Sequence, residues 1–270
     1  MRECSHTPED YDLPMDTMTT ATGMMVHCGG TEGAATLVLA HGLTDSGRCW
    51  PDAVAHWGAA WWILCPDMRS HGDSPRLTAD QRAHTDRVWT EDLLGLLESL
   101  PEPPVLVGHS QGGRIGTLAA LARPDLVRAL VLEDPALSSD SARPANFNQE
   151  HIEKLTGFAE RLDGEKARMK RQTPWSDTEI EAWALAKAKM DVGLFEGFHL
   201  ESLIPSDPLG RLQVPTLVLY DRDGFFAGDP RPQANPLVTR VDVDGVGHCI
   251  RRDAPQVYHD LVDPWIDAHR

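Results

Sequence analysis

The stretch that most constrains this chain is Val105-Leu106-Val107-Gly108-His109-Ser110-Gln111-Gly112-Gly113. A continuous apolar run enters it. A helical pattern leaves it, with Ile115, Leu118, Ala119 and Leu121 at helical spacing. Between them a serine stands two residues from a glycine on either side. That is the spacing of a sharp strand-to-helix turn, which lifts a serine hydroxyl clear of the sheet. So crowded a backbone tolerates only small neighbours, which accounts for Gly108 and Gly112. The helix starting just behind Ser110 aims free backbone N–H groups at the place where an oxyanion would develop. Ser110 is therefore the candidate nucleophile. A glycine-rich turn with a capping serine would use the same residues, but it would not account for the partners found elsewhere in the chain.

The flanking sequence has the rhythm of a parallel sheet. Strands are expected at about 24–27, 36–40, 61–65, 104–108, 128–132, 214–220 and 238–243. Val88, Leu93, Leu96, Leu97 and Leu100 predict an amphipathic helix over about 84–100, and a closing helix is expected at about 254–268. Short apolar strands alternating with helices imply a parallel sheet covered on both faces. Residues 1–17 are polar and contain proline, and read as a loosely held tail. The rhythm breaks between residues 132 and 214, where only helical patterns occur: Ile152, Leu155, Phe158, Ala159 and Leu162 form one face, Ile180, Trp183, Ala184 and Lys187 another. A helical insertion above strand ends suits a cap over a pocket. The expected organisation is a core over 18–134, a helical cap over 135–210 and the rest of the core over 211–270.

Composition narrows the partners. A length of 270 residues fits one domain with an insertion, and 41% hydrophobic residues is ordinary for a soluble protein. A formal net charge of −16 argues against nucleic acid or an anionic membrane as partner, since both need clustered Lys and Arg. The five cysteines are scattered with no C-x-x-C pair, the N-terminus lacks a signal-peptide pattern, and no segment is apolar enough to span a bilayer. A cytoplasmic location is expected. The twelve histidines show no H-E-x-x-H or paired metal spacing, so neither metal nor cofactor is expected. The expected partner is a small-molecule substrate, with a homodimer as the expected assembly.

Four motifs fall in order: His41-Gly42-Leu43-Thr44, Asp67-Met68-Arg69-Ser70-His71-Gly72-Asp73-Ser74, Gly108-His109-Ser110-Gln111-Gly112 and Gly245-Val246-Gly247-His248. Together they resemble the α/β-hydrolase family over about residues 20–268. The resemblance implies an α/β fold, a mostly parallel eight-stranded sheet flanked by helices, with a helical cap. It makes Ser110 the nucleophile and His248 the base, and the backbone N–H groups of Leu43 and Gln111 the oxyanion hole. It leaves two places for the acid. Asp223, after the strand ending at Tyr220, is preferred, although the glycine the family usually has there is missing. Asp134, after the preceding strand, is the alternative and a better match than Glu133. His41, Gly42, Trp50, Arg114 and Trp183 are the candidates for lining the substrate site, with His41 and His109 read as packing and hydrogen-bonding groups beside it, because one base suffices. Arg114 also resembles an arginine that grips a substrate carboxylate in a lyase-like branch of the family, but an internal salt bridge is the favoured use. The implied function is hydrolysis of a carboxylic ester or lactone of a small, largely apolar substrate. The alternatives are a C–C hydrolase or menaquinone-pathway-type lyase acting on a carboxylated substrate, and a ligand-binding receptor with a vestigial site.

Overall fold

A computed structural model of the chain describes residues 15–138, 144–199, 201, 203–227 and 234–270. Cys4 and the first part of the expected tail lie outside the described residues. The remainder of that tail is ordered: Asp16–Thr19 forms strand β1, paired antiparallel with β2 (Met25–Gly30). It completes a sheet of eight strands with β3 (Thr36–Ala40), β4 (Trp62–Pro66), β5 (Val105–His109), β6 (Ala129–Glu133), β7 (Thr216–Asp221) and β8 (Val238–Val243), in the spatial order β1-β2-β4-β3-β5-β6-β7-β8. From β4 onward every neighbouring pair is parallel. A four-residue edge strand with two threonines carries too short and too polar a pattern to stand out in sequence.

Alternation along each strand divides the core into two layers. Val38, Leu64, Leu106, Leu130, Leu132 and Val218 face one side. They are covered by α3 (Thr85–Glu98) and α4 (Gln111–Ala122), through Trp89, Leu93, Leu96, Ile115 and Leu118. Leu37, Leu39, Ile63, Val105, Val107, Val131 and Leu217 face the other. Their cover is α1 (Pro51–Trp57) and α9 (Pro255–Ala268), through Val54, Trp57, Tyr258, Val262 and Ile266. Strands buried on both faces read as unbroken apolar runs, which is why they were legible in sequence.

The described elements between β6 and β7 are helical: α5 (Phe147–Leu155), α6 (Leu162–Gln172), α7 (Asp177–Lys189) and short 3-10 turns. A short α2 (Ala79–Arg82) precedes α3, and α8 (Ile250–Asp253) precedes α9. Among the described residues no helix is long and apolar enough to cross a membrane. The strand order reverses direction at β3, flanked by β4 on one side and β5 on the other. Ligand crevices of open α/β sheets form at such a switch point, beyond the carboxyl ends of the strands. The loops after β3 and β5 both lie there.

Candidate active site

Ser110 occupies the turn between β5 and α4 with φ +51° and ψ −113°. A non-glycine residue holds this backbone only when its surroundings enforce it. The Ser110 N–H donates to the Glu133 carbonyl at 2.9 Å, and its carbonyl accepts from the N–H groups of Arg114 and Ala136, each at 3.0 Å. The turn is thus bolted to its own helix and to the loop after β6. The glycine after it is forced by contact with β3, since a Cβ at Gly112 would lie 2.0 Å from the Ala40 carbonyl oxygen. Because α4 begins at Gln111, the Gln111 amide is among the first N–H groups that a helix leaves without an internal acceptor. The Gln111 side chain is turned away, donating to Asp86 Oδ1 at 3.3 Å.

The loop after β3 lies against this turn. A Cβ on Gly42 would sit 2.7 Å from His109 Nδ1 and 3.4 Å from Ser110 Cβ, so only glycine lets the chain pass into Leu43 here. Two buried imidazoles shape the loop. His41 donates from Nδ1 to the Gly42 carbonyl at 2.8 Å and accepts the Met68 N–H on Nε2 at 3.0 Å. His71 Nε2 accepts from the Thr44 N–H at 3.4 Å, while its Nδ1 donates to the Arg69 carbonyl at 2.9 Å. Burial pushes the His41 pKa down and that of His71 to about 3, so both rings are neutral and can accept a backbone N–H. His41 is therefore a hydrogen-bonding brace of the loop, and it does not line the substrate site, because both its nitrogens are taken by backbone.

His248 comes in from the loop after β8. Its Nδ1 lies 2.5 Å from Asp134 Oδ2. Asp134 follows β6 with φ +40°, is almost fully buried, and accepts the Asp221 N–H on its other oxygen at 3.3 Å. The His248 carbonyl accepts from Nε2 of His109, the residue before Ser110, at 3.0 Å, and the two rings lie 4.7 Å apart. Phe226 covers the His248 ring at 5.3 Å. The His248 side chain keeps 42% of its surface accessible.

The sequence preference for Asp223 is not met. β7 runs on through Asp221, paired with Val243, and a tight turn closes with Gly224 N–H donating to the Asp221 carbonyl. That turn carries Asp223 out to solvent, its N–H bonded to Asp221 Oδ1 at 3.2 Å. The structure brings Asp134 to His248 instead.

The structure decides between the two uses of Arg114 and corrects the placement of Trp50. Arg114 is completely buried, and all five of its N–H donors are committed. Nε and one Nη2 hydrogen meet the Asp86 carboxylate at 2.7–3.0 Å. The other three go to the carbonyls of Ala136, Ser138 and Glu201. Burial pushes the Asp86 carboxyl up and the Arg114 partner pulls it back. No donor is left for a substrate carboxylate, so the salt-bridge use prevails. Trp50 belongs to the core layer under α1 and α9, with the Arg251 guanidinium 4.5 Å from its ring; it does not line the crevice. Trp183 stands half-buried on α7, edge-on to Phe158 and Trp175.

A buried ion network was not legible in sequence. Lys187 of α7 donates to the Thr44 carbonyl at 3.0 Å and to Asp45 Oδ1 at 2.7 Å. Arg252 bridges Asp45 at 3.0 Å and Glu179 of α7 at 2.8 Å, and Arg251 also pairs with Glu179. Burial alone would raise the Asp45 carboxyl, but Arg252 and Lys187 hold it far below the usual carboxylate range. The network ties the helical insertion to the loop that follows Leu43.

Comparison with known proteins agrees with this architecture. Residues 37–261 match the model of the alpha/beta hydrolase family. Lipase LipV of Mycobacterium tuberculosis is 34% identical over 199 residues, covering 71% of this chain and 67% of that one. An (E)-2-((N-methylformamido)methylene)succinate hydrolase of Acinetobacter baylyi is 24% identical over 255 residues, 86% of this chain and 90% of its own. The crystal structure of the enol-lactonase from Burkholderia xenovorans LB400 superposes with a TM-score of 0.72 at 17% identity, covering 93% of this chain and 99% of that one. With its eight-stranded sheet, its strand–serine–helix turn and a family match over most of its length, this chain belongs to the alpha/beta hydrolase family.

Proposed function

We propose that this chain is a serine hydrolase of carboxylic esters or lactones. The observation that carries the reading is the 2.5 Å contact between His248 Nδ1 and Asp134 Oδ2, mounted on loops bonded directly to the Ser110 turn. A serine hydroxyl is a weak nucleophile until a neighbouring base takes its proton. In the proposed cycle Ser110 Oγ attacks the carbonyl carbon and its proton passes to His248 Nε2. The Asp134 carboxylate stabilises the imidazolium. The Leu43 and Gln111 backbone N–H groups hold the oxyanion. His248 then protonates the departing alkoxide. Water, deprotonated by His248, releases the acid from the acyl-serine. With a lactone the leaving alcohol stays tethered to the acyl group. Leu43 and Phe226, both packed against the apolar layer of α3 and α4, favour an uncharged, apolar substrate. A carboxylate-gripping role for Arg114 has lost its support, since its donors are internal.

The test is turnover of p-nitrophenyl acyl esters of several chain lengths by wild type and Ser110→Ala. The proposal expects hydrolysis by the wild type, its loss in the variant, and an unchanged melting temperature. A wild type inert to every ester and lactone tried, or a variant as active as wild type, would refute it.

A further inference from the structure

Away from the crevice, the outer faces of α1 and α9 bring three metal-binding side chains together. His56 is in the last turn of α1, and His259 and Asp263 stand one helical turn apart on α9. His56 Nε2 lies 2.7 Å from Asp263 Oδ2, and His259 Nδ1 lies 3.2 Å from Asp263 Oδ1. The two imidazoles face each other with centroids 3.8 Å apart. One ligand atom from each of the three residues lies within 4.8 Å of the other two. The carboxylate is held in place from behind by the Trp57 indole N–H, which donates to Asp263 Oδ1 at 2.8 Å.

From this juxtaposition we propose that His56, His259 and Asp263 form a site for a divalent transition-metal ion of the zinc class. Two imidazoles and one carboxylate are a borderline donor set that suits zinc, cobalt or nickel better than magnesium or calcium, which prefer all-oxygen shells. Zinc holds nitrogen and oxygen donors at about 2.0–2.2 Å, so neighbouring donors of a tetrahedral site stand about 3.3 Å apart. The present separations of 2.7 and 3.2 Å from the carboxylate need to open by about 0.6 and about 0.1 Å to reach that spacing. On binding, each ring gives the metal the lone pair of the nitrogen that now faces the carboxylate, and any proton on that nitrogen passes to the ring's other nitrogen or to solvent. The Trp57 contact supplies the outer hydrogen bond that orients a ligating carboxylate. Water would complete the coordination at this accessible surface. The bound ion would join α1 to the last helix across two hundred residues of sequence, as a clamp on the fold rather than a part of the chemistry.

The experiment uses the untagged full chain, stripped with chelator and titrated with Zn²⁺ by calorimetry, beside His56→Gln and His259→Gln. His56 is partly exposed, so its variant should melt like wild type in chelator and keep its activity. The expected result is one zinc equivalent more in wild type than in either variant, or at least tenfold weaker binding at that equivalent in the variants. Added zinc should raise the melting temperature of wild type and leave that of His56→Gln unmoved. Co²⁺ in place of zinc should give the visible absorption of a tetrahedral site in wild type only. Equal zinc binding by wild type and both variants, no binding at micromolar zinc, or binding with no change in melting temperature would overturn the proposal.

Discussion

The Asp134→Asn variant tests the candidate catalytic machinery most sharply. In the proposed cycle His248, on taking the Ser110 proton, becomes a cation beside a nearly fully buried carboxylate. With charge centres about 4 Å apart and an effective dielectric near 20, that attraction is worth about 4 kcal/mol, or roughly three decades in rate. Removing the charge forfeits most of it. A second loss comes from the hydrogen-bond pattern. Asp134 Oδ1 already accepts the Asp221 N–H, so the amide oxygen of asparagine would stay there and turn its NH₂ toward His248 Nδ1. A donor facing Nδ1 forces the ring proton onto Nε2, the tautomer that cannot accept the serine proton; in a serine-protease triad the same change costs about 10⁴ in kcat. The expectation is therefore a fall in kcat/KM of about 10³–10⁴ on a p-nitrophenyl ester. The fold should survive, because asparagine tolerates the positive φ of this position. Asp223→Asn, at an exposed turn, should stay within about threefold of wild type. An Asp134→Asn enzyme within tenfold of wild type, or an Asp223→Asn enzyme equally impaired, would refute the assignment of the acid.

Three further outcomes are expected. Arg114→Met should lower the unfolding free energy in urea by about 3–5 kcal/mol, because it strands the Asp86 carboxylate inside the protein; a variant as stable as wild type would mean the pair is dispensable. Glu179→Gln should cost about 3 kcal/mol by the same measure, since two buried guanidinium groups lose their shared carboxylate while Asp45 still serves Arg252. His71 is held neutral in the fold, so the unfolded chain binds the extra proton as pH falls below about 6.5. Its contribution is complete above that pH and declines by up to about 1.4 kcal/mol per unit on acidification, down to its folded pKa of about 3. Between pH 6.5 and 4 the unfolding free energy of wild type should therefore fall more steeply than that of His71→Asn, and parallel slopes would contradict this.

The sequence by itself determined the parallel sheet, the position of the Ser110 turn and the order of the loops around it. Each of these rests on local physics. Strands buried on both faces must be apolar throughout, and a turn pressed against β3 must be glycine where Gly112 meets the Ala40 carbonyl. His248 was legible for a related reason, standing in a glycine-flanked loop between the last strand and the last helices. Tertiary structure decided which side chains meet. Asp134 and Asp223 are both loop carboxylates after a strand, and only the closing turn at Asp221–Gly224 sends one outward and leaves the other to His248. An internal salt bridge was the favoured use of Arg114, but its partners were not legible, since its five donors find Asp86 and three carbonyls from elements far apart in the chain. His56 and His259 carry no spacing that announces a pair, and they meet only because α1 and α9 cover the same face of the sheet. Periodicity and turn chemistry are written in neighbouring residues, whereas the pairing of charges and ligands depends on which distant elements the packed core brings within a few ångströms.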